Sequence, residues 1–357
     1  MGRAVTLIIR QAYRDPRIEI DVGSEVYAVT FSANGEYLLS GSRGGVQVWR
    51  VEDGTQVTTM EAKAVRSLAV SKDGRWIAAG TLFGELFVWD AKTHKQVFKH
   101  EEDFATITGV DFSPDSTRLV SASYKKTATI WDIPTRKRVQ TLFHDNSLRA
   151  AKYSPQGDQI ATATRHSIHI WDSRDGRLLL DIKVGVDPYY GTGLLWSNNH
   201  LFVVSGNRIQ QIDAFTGSVV SQWPLPESDD YSCIALPKHG EFIAYSAKRT
   251  VTFWDVSSHT QLGHIQDPQD IRSFALSPND EFIASGEARG KVCLSRIFAS
   301  VLFRLIVEHT SNSDPFTRRI WTLFLVHTQD LRSQSLRSMT PRSIHGSSIN
   351  LRTRKYH

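Results

Sequence analysis

The sequence predicts an all-β fold in which seven short, similar sheets form the blades of one ring, closed by an N-terminal strand and followed by a non-repeat C-terminal tail. Three observations carry this. An apolar run ending in Trp or a substitute, usually followed by Asp, recurs at Trp49-Arg50, Trp89-Asp90, Trp131-Asp132, Trp171-Asp172, Ile212-Asp213, Trp254-Asp255 and Leu294-Ser295. Successive spacings are 40, 42, 40, 41, 42 and 40 residues, and a near-constant period of this length marks repeated supersecondary units. Within each unit, short β-rich runs alternate with turn residues, which is the pattern of a small antiparallel sheet.

The third unit shows the internal plan. Strands are expected at 108–113, 118–122, 127–131 and 138–143, with a turn at Pro114-Asp115. Related turns recur at Ala33-Asn34-Gly35, Lys72-Asp73-Gly74, Pro155-Gln156-Gly157, Lys238-His239-Gly240 and Pro278-Asn279-Asp280, all built from residues that tolerate tight turns. A fourth strand begins near Gln56, Gln96, Arg138, Leu178, Val219 and Gln261, but none follows Leu294. Arg17-Ile18-Glu19-Ile20, ahead of the first unit, has the composition to supply it by pairing with residues 291–294. A ring closed in this way leaves no open edge between its ends.

This repeated register resembles the WD40-repeat family, and in particular its fungal-type chains, over about residues 18–295. The resemblance implies a seven-bladed β-propeller that serves as a rigid platform for other proteins. The expected organisation is a leader at 1–16, the propeller at 17–297, and a basic Ser/Arg-rich tail at 298–357 whose polar composition suggests disorder over much of its length. The family usually carries a hydrogen-bonded group of Asp, His, Ser and Trp in each blade, with the Asp six residues before the Trp. The corresponding positions here are Arg43, Phe83, Lys125, Arg165, Gly206, Lys248 and Ala288, and the His of the loop entering a blade is matched only by His144.

By the same resemblance, the turn before each Trp strand and the loop entering each blade share one face. Several entering loops are acidic: Glu61, Glu101-Glu102-Asp103, Asp145, Asp187, Glu227 with Asp229-Asp230, and Asp267 with Asp270. The facing turns are basic. One reading is ion pairing within blades, at ~0–1 kcal/mol for each exposed pair. The other is that the turns present positive charge to an acidic partner. The candidate partner-binding residues are Arg43, Leu82, Phe83, Tyr124, Lys125, Arg165 and Lys248, with Leu82, Phe83 and Tyr124 as apolar anchors on blades two and three.

Chemistry of other kinds is not signalled. There is no Gly-rich phosphate loop, His-Glu-x-x-His helix, nucleophile elbow or calcium loop. Cys233 and Cys293 are the only cysteines and do not cluster in sequence with other ligands, so neither a disulfide framework nor a zinc site is expected. His166 and His169 fall in a turn and a strand respectively. No catalytic residue, cofactor or metal is therefore expected, and the chain reads as a binding scaffold rather than an enzyme. No stretch reaches the roughly 20 apolar residues of a membrane span, so cytosol or nucleus is the expected location.

The formal charge of +5 divides unevenly, because residues 298–357 hold eight Arg and one Lys against three acids. Nucleic acid is expected as a partner only through this tail, with Arg318-Arg319 and the later arginines meeting phosphates. Another alternative rests on Trp171-Asp172-Ser173-Arg174, which matches a Trp-Asp-x-Arg motif of propellers that serve as substrate receptors of cullin-RING ubiquitin ligases. Met1-Gly2-Arg3-Ala4-Val5-Thr6 fits the loose N-myristoylation pattern, against a short leading strand at 4–9. The tail itself reads as an interaction segment or as the product of a shifted or unspliced reading frame.

Overall fold

The structure is a computed structural model and describes residues 18–101, 104–184, 193–206, 208–225, 233–237 and 240–297. The N-terminal leader with its myristoylation pattern, and the tail, lie outside these residues. The described strands form seven four-stranded antiparallel sheets. Six run in chain order, over residues 26–60, 65–101, 107–143, 148–182, 194–224 and 234–266, and are called blades one to six here. Blade seven is composite, with three strands from residues 271–296 and a fourth, outermost strand from Ile18–Asp21. The first strands of successive blades contact one another around the whole circuit, so they line the axis of the ring.

Each blade is sandwiched between two others, and its second strand is therefore buried on both faces. In blade three this strand is Arg118–Ser123, where all but the first residue are buried. Such a strand reads as a continuous apolar and small-residue run instead of an alternating one. The outermost strand Lys137–Phe143 is largely exposed. Bulges in the first strands of blades one, two, three, four and seven fall at Val26/Ala28, Val65/Ser67, Ile107/Gly109, Leu148/Ala150 and Ile271/Ser273.

Blade-to-blade spacing is set by small residues at one register of the second strand. A Cβ placed on Gly41 would lie 2.6 Å from Val65 Cγ1, one on Gly80 2.7 Å from Ile107 Cβ, and one on Gly286 2.6 Å from Val26 Cγ1. Blades three and four use Ala122 and Ala163 in the matching places, packed in the same clusters as Leu148 and Leu194. Each contact seats the first residue of one inner strand on the blade before it. The turn joining the third and fourth strands makes a second contact: Gly54 packs on Ile18 and Ile20, and Gly217 on Leu180 and Ile182.

The ring closes as the sequence predicts. Ile18 pairs with Leu294, Glu19 with Cys293, Ile20 with Val292 and Asp21 with Lys291. Glu19 also meets Lys291 at 3.0 Å, and the Val22 amide donates to the Gly290 carbonyl. Arg17 lies outside the described residues.

The register of the last unit needs correction. Trp49, Trp89 and Trp131 pair with Leu38, Ile77 and Leu119, the second residue of each second strand. In blade seven that residue is Ile283, and its partner is Ser295, not Leu294. The Trp slot is thus filled by a small polar residue, and the apolar run stops one position early. The turn position six residues earlier becomes Arg289 instead of Ala288, another basic residue.

Candidate partner-binding face

Antiparallel connection puts the turn between second and third strands, and the loop entering each blade, at one end of the ring. Arg43, Leu82-Phe83, Tyr124-Lys125, Arg165 and Lys248 occupy five such turns, in blades one, two, three, four and six. A chain of hydrogen bonds laces the first three together. The Arg43 carbonyl accepts from the Ala64 amide, and the Ala64 carbonyl from the Leu82 amide. The Leu82 carbonyl accepts from Thr106 Oγ1 at 3.1 Å, and the Thr106 carbonyl from the Tyr124 amide. Leu82, Phe83 and Tyr124 are thus brought to one place, with Arg43 and Arg165 in the flanking blades. Lys248 lies across the ring in blade six, outside that patch.

Phe83 is 51% exposed. Leu82 is half-buried, and Tyr124 is half-buried beneath Arg149, whose guanidinium lies 5.3 Å from the ring centroid while Nη1 donates to the Tyr124 hydroxyl at 2.8 Å. Lys125, Lys126, Arg43 and Arg165 are exposed. Arg43 Nε donates to the Tyr27 hydroxyl, which, with Glu25 beyond it, strengthens the hold of the guanidinium on its proton.

Sequence reasoning missed two aromatic side chains here. Phe104, in the loop entering blade three, is 89% exposed, and Phe143, ending the outer strand of that blade, is 75% exposed. Phe143 pairs with Thr127, just past the Lys125-Lys126 turn. Alternation signals it, because Leu142 is buried and its neighbour must face out. Phe104 gave no such signal; its φ of 46° is a left-handed backbone that a loop alone decides.

One ion pair joins a turn to an entering loop, but it bridges two blades instead of lying within one: Arg249 of blade six meets Asp270 in the loop entering blade seven, 3.2 Å apart and both about half exposed. Glu101 instead meets Lys99 on its own strand, at 2.6 Å. Glu102, Asp103, Asp187, Glu227, Asp229 and Asp230 lie outside the described residues. Part of the family's internal network persists: the indole N–H groups of Trp49, Trp131 and Trp171 donate to Ser40, Ser121 and Thr162 at 2.8–2.9 Å.

In blade four a His joins this network. His144 Nε2 lies 2.8 Å from Thr162 Oγ1, with its ring edge-on to Trp171 and 5.2 Å from His169. His166 sits in the exposed turn, so His169 faces His144 and Asp181 instead. Burial first, and His169 second, push the His144 imidazole down to about 4. Burial also lowers His169, against the pull of Asp181. The His144 ring is therefore neutral in the fold at pH 7, and its stabilising effect is complete above the unfolded value near 6.5 and drains as pH falls toward 4. Melting curves between pH 7 and 4 should show this loss in the parent and less of it in His144→Gln.

A further grouping was hidden by sequence distance. Asp267, Glu287 and Cys293 are all buried, with their ligand-type atoms within 4.8 Å of one another, and the Cys293 thiol donates to Glu287 Oε1 at 3.1 Å. Asp267 holds the place in the loop entering blade seven that His144 holds in blade four, each amide donating to the carbonyl of the turn before it.

Seven four-stranded antiparallel blades around an axis, closed by the N-terminal strand and stitched by Ser/Thr–Trp hydrogen bonds, define a WD40-type β-propeller. Residues 25–296 match the family described as the IFT122 first beta-propeller, and the chain belongs to that family. It is also similar to Periodic tryptophan protein 2 of Arabidopsis thaliana, 33% identical over 167 residues that cover 44% of this chain and 18% of that protein. Autophagy-related protein 16 of the same plant is 20% identical over 80% of this chain and 50% of that protein. The U3 small nucleolar RNA-associated protein 15 homolog of Gallus gallus is 24% identical over 61% of this chain and 42% of its own length. The match therefore spans at most half the length of these relatives.

Proposed function

We propose that this chain is a non-catalytic protein–protein interaction scaffold, and that its partner, a protein with an acidic surface, docks on the turn face centred on blades two and three. The observation that carries this is the exposure of Phe83, Phe104 and Phe143 at the turn end of blades two and three, which also carries Tyr124, Lys125 and Lys126. Aromatic anchors ringed by charge are the usual make-up of an interface centre. A specific interface needs roughly 800 Å² per partner, so neighbouring blades act together. Relatives named for the U3 small nucleolar RNA support a setting in a nucleolar assembly, and the nucleus over the cytosol.

The test uses the partner recovered with the full chain by affinity purification and identified by mass spectrometry. Phe83→Ala is expected to quicken dissociation about 30-fold, the effect of losing an anchor worth ~2 kcal/mol. Lys125→Glu with Arg165→Glu is expected to slow association in a salt-sensitive manner while leaving dissociation nearly unchanged. If Phe83→Ala and Tyr124→Ala both fold normally and bind as tightly as the parent, another face holds the partner.

A further inference from the structure

The opposite end of the ring carries a second charged surface. Its outer rim is made by the turns between third and fourth strands, at 90–95, 132–137 and 172–177 in blades two, three and four. These three turns hold six Lys and Arg against four Asp, and Arg138 follows directly on the outer strand of blade three. The equivalent turns of blades one, five and six, at 50–55, 213–218 and 255–260, hold one, Arg50, which is 3.4 Å from Asp53. The cations are gathered on one arc.

The local structure turns that arc outward. In each turn the leading Asp is folded back onto its own backbone: Asp90 Oδ1 accepts from the Thr93 amide at 2.7 Å, Asp132 Oδ1 from the Thr135 amide at 2.8 Å, and Asp172 Oδ1 from the Arg174 amide at 2.8 Å. Lys95, Arg136, Lys137, Arg138, Arg174 and Arg177 are all exposed. Among the described residues no ion pair engages any of these six. Blades three and four are joined here, because Gln140 Nε2 donates to the Asp175 carbonyl at 2.8 Å and Arg118 Nη1 to the Ser173 carbonyl at 2.9 Å. The cations on either side of those hydrogen bonds therefore form one surface.

The arc lacks an aromatic centre. Of the exposed large hydrophobic side chains, the aromatic ones among the described residues are Phe83, Phe104, Phe143 and Phe215, and none belongs to these three turns. A single strand is normally held by stacking its bases on aromatic rings. The exposed apolar side chains next to these turns, Val139, Leu178 and Leu179, are aliphatic and offer no stacking surface. Repeated cations without aromatic rings suit a regular row of phosphates, which are bound through charge and position alone. We infer that the outer turns of blades two to four bind the phosphate backbone of a double-stranded nucleic acid, independently of the docking face and of the basic tail.

The experiment measures binding of the full chain to fluorescent duplexes of about 20 base pairs, one RNA and one DNA, across a salt series. Neutralising Arg136, Lys137, Arg138 and Arg174 to Gln, all exposed and so harmless to the fold, is expected to lower affinity at least tenfold. It should also flatten the log–log salt dependence by about one unit for each phosphate that the variant no longer neutralises. A drop on the RNA duplex alone, or on both duplexes, identifies the source. Lys125→Glu with Arg165→Glu, on the other end, serves as the control and should change neither duplex. The inference is overturned if the parent binds neither duplex, or if the four-residue variant keeps the parental affinity and slope while Arg318→Gln with Arg319→Gln abolishes binding. An equal drop for a poly-glutamate probe together with the duplexes would instead assign the arc to an acidic protein.

Discussion

Removal of the first 22 residues is expected to leave a chain that no longer melts as a single folded body near the parental temperature. Deletion strips the outer strand from blade seven and takes with it Ile20 and Val22, which are 3% and 6% exposed. Each buried aliphatic side chain contributes ~1.5–3 kcal/mol, and each backbone hydrogen bond about 0.5–1.5 kcal/mol. The sum approaches the ~5–15 kcal/mol by which a domain is stable at all. Ile18 and Ile20 are also the seat of Gly54 in blade one, so the damage spreads across the seam. The bared edge of Lys291–Arg296 becomes a template for association between chains. Deletion of residues 298–357 should cost far less, and calorimetry with sedimentation of both truncations makes the comparison. Equal melting temperatures for the parent and the N-terminal truncation would sink the arrangement.

The second large effect is expected from Gly80→Val. Gly80 stands in the buried second strand of blade two, where an added Cβ would fall 2.7 Å from Ile107 Cβ and 2.7 Å from Ser67 Oγ. Its difficulty is space, because the residue is strand-like and its backbone makes no special demand. Extra carbon in a packed core costs about 1–3 kcal/mol, and here it falls between two blades whose separation every other blade shares. Gly80→Val is expected at or above the top of that range and Gly80→Ala lower, read as a drop in denaturant midpoint with an unchanged slope. If Ile107→Ala is added to Gly80→Val, part of the stability should return. Absence of any such rescue would locate the strain elsewhere.

What the sequence revealed depended on how local the determining interaction was. Strands, turns and the closing strand were legible because alternation, turn residues and the period are written within a few positions; the partner of the N-terminal strand, residues 291–294, was legible by the same means. The last register failed because Ser295 fills a slot that Trp or a large apolar residue fills elsewhere. The placement of Leu82, Phe83 and Tyr124 on the turn face was legible from their place before the Trp strand, whereas the exposure of Phe104 depends on a loop conformation without periodicity. His144, His169 and Asp181 meet across the strands of one blade, and only the fold reveals that His169, not His166, is the neighbour. The grouping of Asp267, Glu287 and Cys293 draws on a loop and two strands and has no local signature.

The pairing of Ile18 with Leu294 has a geometric corollary for anything joined to the propeller. The strands are antiparallel, so the start of one lies beside the end of the other, and polypeptide upstream and downstream departs from the same blade. That departure point is at the end of the ring away from Phe83, Phe104 and Tyr124. The strand ends at Ile18 and Arg296 therefore both lie at the far end of the described ring from the turns that carry those aromatic residues. A fluorescent protein or affinity handle attached at either terminus should leave partner capture intact, while one inserted between Lys125 and Lys126 should block it. A new linker from Arg296 to Ile18, with new ends opened in an outer turn such as 257–259, should yield a permuted ring with the same turn face.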